Sequence, residues 1–147
     1  MSLYLYLPLL LFIVVGCTVQ EQPNNKKYIE VPGRATSKIL SHAVEVGNQL
    51  FLSGQLGFNN ETNELAEGIE GQTHQTLKNI EAILKAANYT FADVVEVQVF
   101  IDDMDNYAKF NEIYIQYFPT NPPARAVVEV SRLPRDGKVE IKLSAIK

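Results

Sequence analysis

A proline-bracketed run near the C-terminus limits the folds open to this chain more than any other stretch. Pro122-Pro123 leads into Ala124-Arg125-Ala126-Val127-Val128-Glu129-Val130-Ser131-Arg132-Leu133, and Pro134 closes the run. Proline has no N–H and drives its predecessor towards extended geometry, so no helix continues through either end. Ala124, Ala126, Val128 and Val130 alternate with Arg125, Val127, Glu129 and Ser131, the period of two expected of a strand. Arg125 therefore stands at the start of an otherwise apolar strand. Its guanidinium keeps its charge at any physiological pH, and its fork fits a carboxylate. Two readings are open: an ordinary ion pair, or a receptor for the carboxylate of a small substrate.

The remainder is consistent with one domain. The chain has 147 residues, of which 46% are apolar and 20% charged, the proportions of a globular protein rather than a disordered one. The formal net charge is −4 and there is no arginine-rich stripe, so the electrostatic footprint of a nucleic-acid binder is missing.

The N-terminus is organised differently. Residues 1–16 contain no charged side chain, and Leu3 to Val15 is nearly all apolar. That is shorter than the ~20 residues of a membrane span and suits the apolar region of a signal peptide. Val14-Val15-Gly16-Cys17 resembles a bacterial lipobox, although no Lys or Arg precedes it. Cys17, the sole cysteine, is the expected lipidation site, and it excludes an intrachain disulfide. A single-pass anchor and plain secretion are the alternatives. Polar residues then suggest a tether. The expected organisation is a signal peptide over 1–16, a lipidated Cys17 with tether over 17–35, and a folded domain over 36–147. The domain would be exported and held at a membrane through Cys17, or cytosolic if the leader is not a working signal.

Within the body, Ala43–Val46 and Gln49–Ser53 flank Gly47-Asn48 and predict a hairpin. Gly71 to Asn88 carries Leu77, Ile80, Ile83, Leu84 and Ala87 at helical spacing, with Asn88 as a C-terminal cap and Asn79 assigned to the polar side. Val94 to Ile101 alternates as a strand, and Asp102-Asp103-Met104-Asp105 turns the chain and caps a helix from Asn106 to Phe118. The proline run follows, then Lys138 to Ile146 alternates again. The order β-β-α-β-α-β-β predicts a two-layer α/β (α+β) domain with helices on one sheet face. The other face would carry Val127 and Phe100 and need a partner, which points to oligomers. The short turn after Arg132 predicts that the arginine strand and the last strand pair as a hairpin.

Few residues could carry chemistry. His42 and His74 sit in separate elements without ligand spacing, and no metal motif or phosphate loop is present. What remains is Arg125, to hold a carboxylate, and Glu140 on the last strand. A glutamate in a partly dry cleft can hold and deprotonate a water. Together they suit hydrolysis of a small acid at an electrophilic carbon. Cross-strand pairing of Glu140 with a lysine is the plainer alternative.

From about Ile39 to Lys147 the chain resembles the Rid (RidA/YjgF) family of reactive intermediate deaminases. The matching blocks are Leu52-Ser53-Gly54-Gln55, Gln75 to Ile80, Val99 to Met104, Asn111 to Tyr114, Pro123-Ala124-Arg125, Val128-Glu129-Val130, Arg132-Leu133-Pro134 and Val139-Glu140-Ile141. The resemblance implies a chorismate-mutase-like fold and a homotrimer whose sheets form a barrel, with a site in each intersubunit cleft. It implies hydrolysis of 2-imino acids such as 2-iminobutanoate and 2-iminopropanoate, or their enamines, to 2-keto acids and ammonia, with no cofactor and no metal. Arg125 would pair with the substrate carboxylate and Glu140 would position the water. Ser53, Asn111, Gly57 and Phe58 would line or border the cleft. Val127 stands where many members have cysteine, and its backbone carbonyl would face the imine nitrogen. Leu40 stands where many deaminating members have tyrosine. The competing expectation is a non-catalytic trimer that binds keto acids or other small metabolites.

Overall fold

The computed structural model describes residues 25–35 and 37–147. The leader and Cys17 lie outside the described residues.

Seven strands form one mixed sheet in the order β1-β2-β3-β7-β5-β6, with the short β4 also paired to β7. They are β1 (Lys26–Ile29), β2 (Ala43–Val46), β3 (Gln49–Leu52), β4 (Gln55–Leu56), β5 (Val94–Ile101), β6 (Ala124–Glu129) and β7 (Val139–Ile146). Helices α1 (Gly68–Ala86) and α2 (Tyr107–Tyr117) pack together on one face. This is the expected two-layer α+β architecture, enlarged by β1 and β4.

The alternation read from sequence decides the layers. Val97, Val99 and Ile101 of β5 and Val139, Ile141 and Leu143 of β7 are buried against Leu77, Ile80, Ile83 and Leu84 of α1 and Phe110 of α2. Such side chains each contribute roughly 1.5–3 kcal/mol when fully removed from water, so this one layer dominates the stability. At the end of α1, Asn88 adopts a left-handed φ of 63° and closes the helix as expected. Before α2, the Asp103 carboxylate accepts the backbone N–H of Asp105.

Four expectations are corrected. First, the arginine strand and the last strand do not pair. Strand β6 pairs parallel with β5, and β5 lies between β6 and β7. The buried β5 is apolar enough to take the central place, whereas β6 has half-exposed residues and forms the sheet edge. Second, Val127 does not face outwards. It lies opposite Val99, which lies opposite Ile141, so it joins the helix-covered face. Val128, opposite Phe100, is the residue on the open face. Third, Asn79 is buried, not solvated, and its Nδ2 donates to the carbonyls of Leu56 and Phe58 at 2.9 Å each. It supplies two partners that a strand-ending loop needs. Fourth, residues 26–29, assigned by composition to the tether, form β1 against β2, with Ile29 buried. Polar side chains hid a strand whose main contribution is its backbone.

The open face is uncovered among the described residues. Phe51 and Val128 are 44% and 45% exposed, and the half-buried Phe100 lies between β6 and β7. Since β6 is an edge, one row of its backbone groups also has no strand partner among the described residues.

Candidate active site

Arg125 projects from β6 towards α2, on the helix-covered side. Its Nη1 donates to Asn111 Oδ1 at 2.8 Å and its Nη2 to the Tyr107 hydroxyl at 3.1 Å. The guanidinium carbon stands 4.6 Å from the centre of the Tyr114 ring. Neutral partners and an aromatic face hold the fork without cancelling its charge. Among the described residues no carboxylate pairs with it. The ion-pair reading of Arg125 therefore fails within the protomer. Beside it lies a cavity of about 470 Å³, lined by Asn111, Tyr114, Ile115, Phe118 and the proline turn.

Sequence spacing marks Tyr114 only as a residue of the apolar side of α2. Its buried hydroxyl has no hydrogen-bond partner among the described residues. Burial pushes its pKa up to about 12, against a smaller opposite pull from Arg125, so it stays protonated and can donate. Tyr107 was likewise missed as a partner of Arg125. The spacing of Tyr107, Asn111 and Tyr114 along α2 carries that signal, since all three fall on one helix face.

Glu140 leaves β7 on the other side of the sheet. It lies opposite Phe100 of β5 and Leu56 of β4. Its carboxyl group packs directly on Gly54: a Cβ at that position would fall 1.8 Å from Glu140 Oε1. Burial raises its pKa, and no cation offsets the effect. The cross-strand lysine pairing is therefore not made among the described residues.

The two groups are apart within one chain. Arg125 is in register with Val97, and Val97 with Leu143. The step from Leu143 back to Glu140 is roughly 10 Å along the strand, and two strand spacings add roughly 10 Å across. Arg125 also shares a face with buried Val97, and Glu140 shares the opposite face with Phe100. No rotamer change lets one small molecule touch both from the same protomer.

The other expected residues divide between these two places or serve the scaffold. Asn111 belongs to the Arg125 side. Leu40, 49% exposed, and Phe58 line a second cavity of about 450 Å³ that reaches Gly54 and Leu56, the two residues against which Glu140 lies. The Ser53 hydroxyl donates to the Ser41 carbonyl at 2.6 Å and ties the strand end to the loop carrying Leu40. Gly57 is buried against α1, where a Cβ would meet the Gln72 backbone at 2.7 Å. It sets the helix–loop approach and does not line the cavity. Val127 is partly buried against the core. No group of three or more His, Cys, Asp or Glu able to hold a metal occurs among the described residues.

Comparison with known proteins decides the family. The family model described as Endoribonuclease L-PSP matches residues 33–147. The chain belongs to the Rid/YjgF/L-PSP family. A RutC family protein of Pyrococcus horikoshii is 48% identical over 108 residues, covering 73% of this chain and 86% of that one. Reactive Intermediate Deaminase A, chloroplastic, of Arabidopsis thaliana is 41% identical over 106 residues, covering 71% of this chain and 57% of that protein. The crystal structure of RidA from an Antarctic Psychrobacter superposes with a TM-score of 0.79 at 39% identity, covering 82% of this chain and 99% of that one.

Proposed function

We propose that this protein is a hydrolase of 2-imino acids such as 2-iminobutanoate and 2-iminopropanoate, working in clefts between the subunits of a homotrimer. One observation carries the reading: an unpaired arginine and an unpaired, desolvated glutamate stand on opposite faces of one sheet. A contact that sets the open face of one protomer against the α2–β6 side of the next brings Arg125 of one to Glu140 of the other. Repeated around a three-fold axis, such a head-to-tail contact closes. It also covers Phe51, Phe100 and Val128 and gives the β6 edge a neighbour.

In such a cleft Arg125 takes the substrate carboxylate through its fork, with Tyr114 as a further donor. Glu140 removes a proton from water as the oxygen attacks the imine carbon, giving a carbinolamine. The proton then goes to the nitrogen, Glu140 takes the hydroxyl proton as the C–N bond breaks, and a 2-keto acid and ammonia leave. A carboxyl group with a raised pKa suits both halves of this transfer. The test is ammonia release from enzymatically generated imino acids by the wild type, Arg125→Ala and Glu140→Ala. Wild-type rates in both variants would refute the assignment.

A second reading has its own observation. Leu40 lines the cavity that reaches Gly54, on which Glu140 packs, and brings no hydroxyl there. That favours a trimer that binds keto acids without turning imines over, and binding without ammonia release would select it. Export through residues 1–16 and lipidation at Cys17 is the proposed location of the domain. Incorporation of labelled palmitate, abolished in Cys17→Ser, tests it.

A further inference from the structure

The second cavity holds a cation that the proposed reaction does not use. Arg34 lines it, with Leu40, Gly54 and Phe58. The Arg34 side chain is half-buried, its Nη2 donates to Gln55 Oε1 at 2.9 Å, and its buried Nη1 has no partner. Burial without a compensating acid lowers its pKa. Among the described residues no carboxylate pairs with it, and no acidic side chain lines the cavity. Glu140, which packs on the Gly54 that also lines this cavity, feels no cation either.

Two asparagines in the wall add donors. The Asn59 side-chain oxygen accepts the N–H groups of Glu61 and Thr62, which leaves its amide nitrogen free to donate. The side-chain oxygen of Asn63 is taken by Arg135. Asn60 is turned the other way, its amide nitrogen donating to Asn79 Oδ1, and the Gln55 amide nitrogen donates to the Ser53 and Gly54 carbonyls. Among the described residues Arg34 is the one cation in this mixed wall. A half-buried arginine with no acid beside it and two amide donors in the same wall favours an anion.

We infer that Arg34 determines specificity by receiving a second acidic group, so that the preferred substrates are dicarboxylic 2-imino acids. The inference rests on the proposed site, with the α-carboxylate on Arg125 of one subunit, the imine carbon at Glu140 and the side-chain carboxylate on Arg34 of the second. Such imines arise wherever an acidic amino acid is oxidised at its α-carbon.

Calorimetric titration of the full-length protein with 2-oxoglutarate and with 2-oxobutanoate tests this without requiring turnover. Each is a keto acid, and they differ in the second carboxylate. The wild type is expected to bind 2-oxoglutarate at least about tenfold more tightly, the value of one charge-assisted hydrogen bond. In Arg34→Gln the ratio of the two affinities falls to near one, and in Arg34→Lys it stays intermediate. Equal affinities in the wild type, or an unchanged ratio in Arg34→Gln, overturn the inference. Ammonia release from the corresponding imines is followed in parallel. A dicarboxylate preference without ammonia release refutes hydrolysis and leaves the Arg34 assignment standing; ammonia release without the preference does the reverse.

Discussion

Gly54→Ala separates positioning from stability with a single methyl group. The added Cβ would lie 1.8 Å from Glu140 Oε1, 2.8 Å from Cδ and 3.2 Å from Cγ. No atom pair tolerates the first distance, so something must move. Gly54 does not have a left-handed φ, so alanine is permitted by the backbone and the strain passes to the neighbour. That neighbour is the end of a flexible side chain, which can swing away at a cost of about 0.5–1.5 kcal/mol for an off-rotamer torsion. For a domain of this size the melting temperature then falls by only a few degrees. Activity behaves differently. A displaced glutamate no longer meets the water it is to deprotonate, and general-base catalysis contributes roughly 10²–10⁴-fold. The expected result is a loss of at least about 10²-fold in kcat, with KM changed little because Arg125 is untouched. Circular dichroism melting and coupled ammonia release measure the two effects on the same sample. Wild-type kcat in a folded Gly54→Ala protein would refute the assignment of Glu140 as the base.

Two further predictions concern the charged pair. Arg125→Lys keeps the charge but cannot reach both Asn111 and Tyr107 or fork a carboxylate, so kcat/KM should fall about 10²-fold, mostly through KM; a change below threefold would show that no bidentate contact is made. Glu140→Gln should be progressively more stable than the wild type as pH rises from about 4 to about 7, because burial favours the protonated carboxyl group. At the acid end both folded and unfolded wild-type chains carry the proton and the two proteins melt alike. Above the raised folded-state pKa the wild type has lost that stabilisation. For the same reason the acidic limb of the wild-type kcat/KM profile should lie above the ordinary glutamate range. A stability difference that is flat with pH would contradict the desolvation argument.

Period-two and helical patterns made most elements legible, because burial of one face leaves a trace in each strand and helix. Val97, Val99 and Ile101 on β5, or Leu77, Ile80 and Leu84 on α1, could hardly be read otherwise. Strand order was not legible. Chain proximity suggested that β6 pairs β7, whereas the more apolar β5 takes the place between them. That exchange sets the face on which Val127 and Val128 lie. Strand β1 escaped notice because Lys26 and Lys27 look like tether residues, and Asn79 because a buried amide in a helix resembles an exposed one in sequence. At the site, Arg125 and Glu140 were both visible as residues without an obvious structural role. Their separation across the sheet was not, since it depends on register. Tyr107 and Tyr114 were seen as packing, and their relation to Arg125 appears only when α2 lies over β6. Arg34 gave no sequence signal at all; only a cavity without acids makes its charge meaningful.

Subunit mixing tests the central claim, that each site draws Arg125 from one chain and Glu140 from another. Arg125→Ala and Glu140→Gln chains carrying different tags are co-expressed, mixed oligomers are isolated through both tags, and ammonia release is measured. If the site is shared, an intact cleft forms wherever the Arg125-bearing side of one variant meets the Glu140-bearing face of the other. In a cyclic trimer carrying both variants one such cleft always forms, so about one third of wild-type activity returns from two inactive parents. If each protomer holds its own site, mixing restores nothing, and activity at the level of the parents would contradict the account.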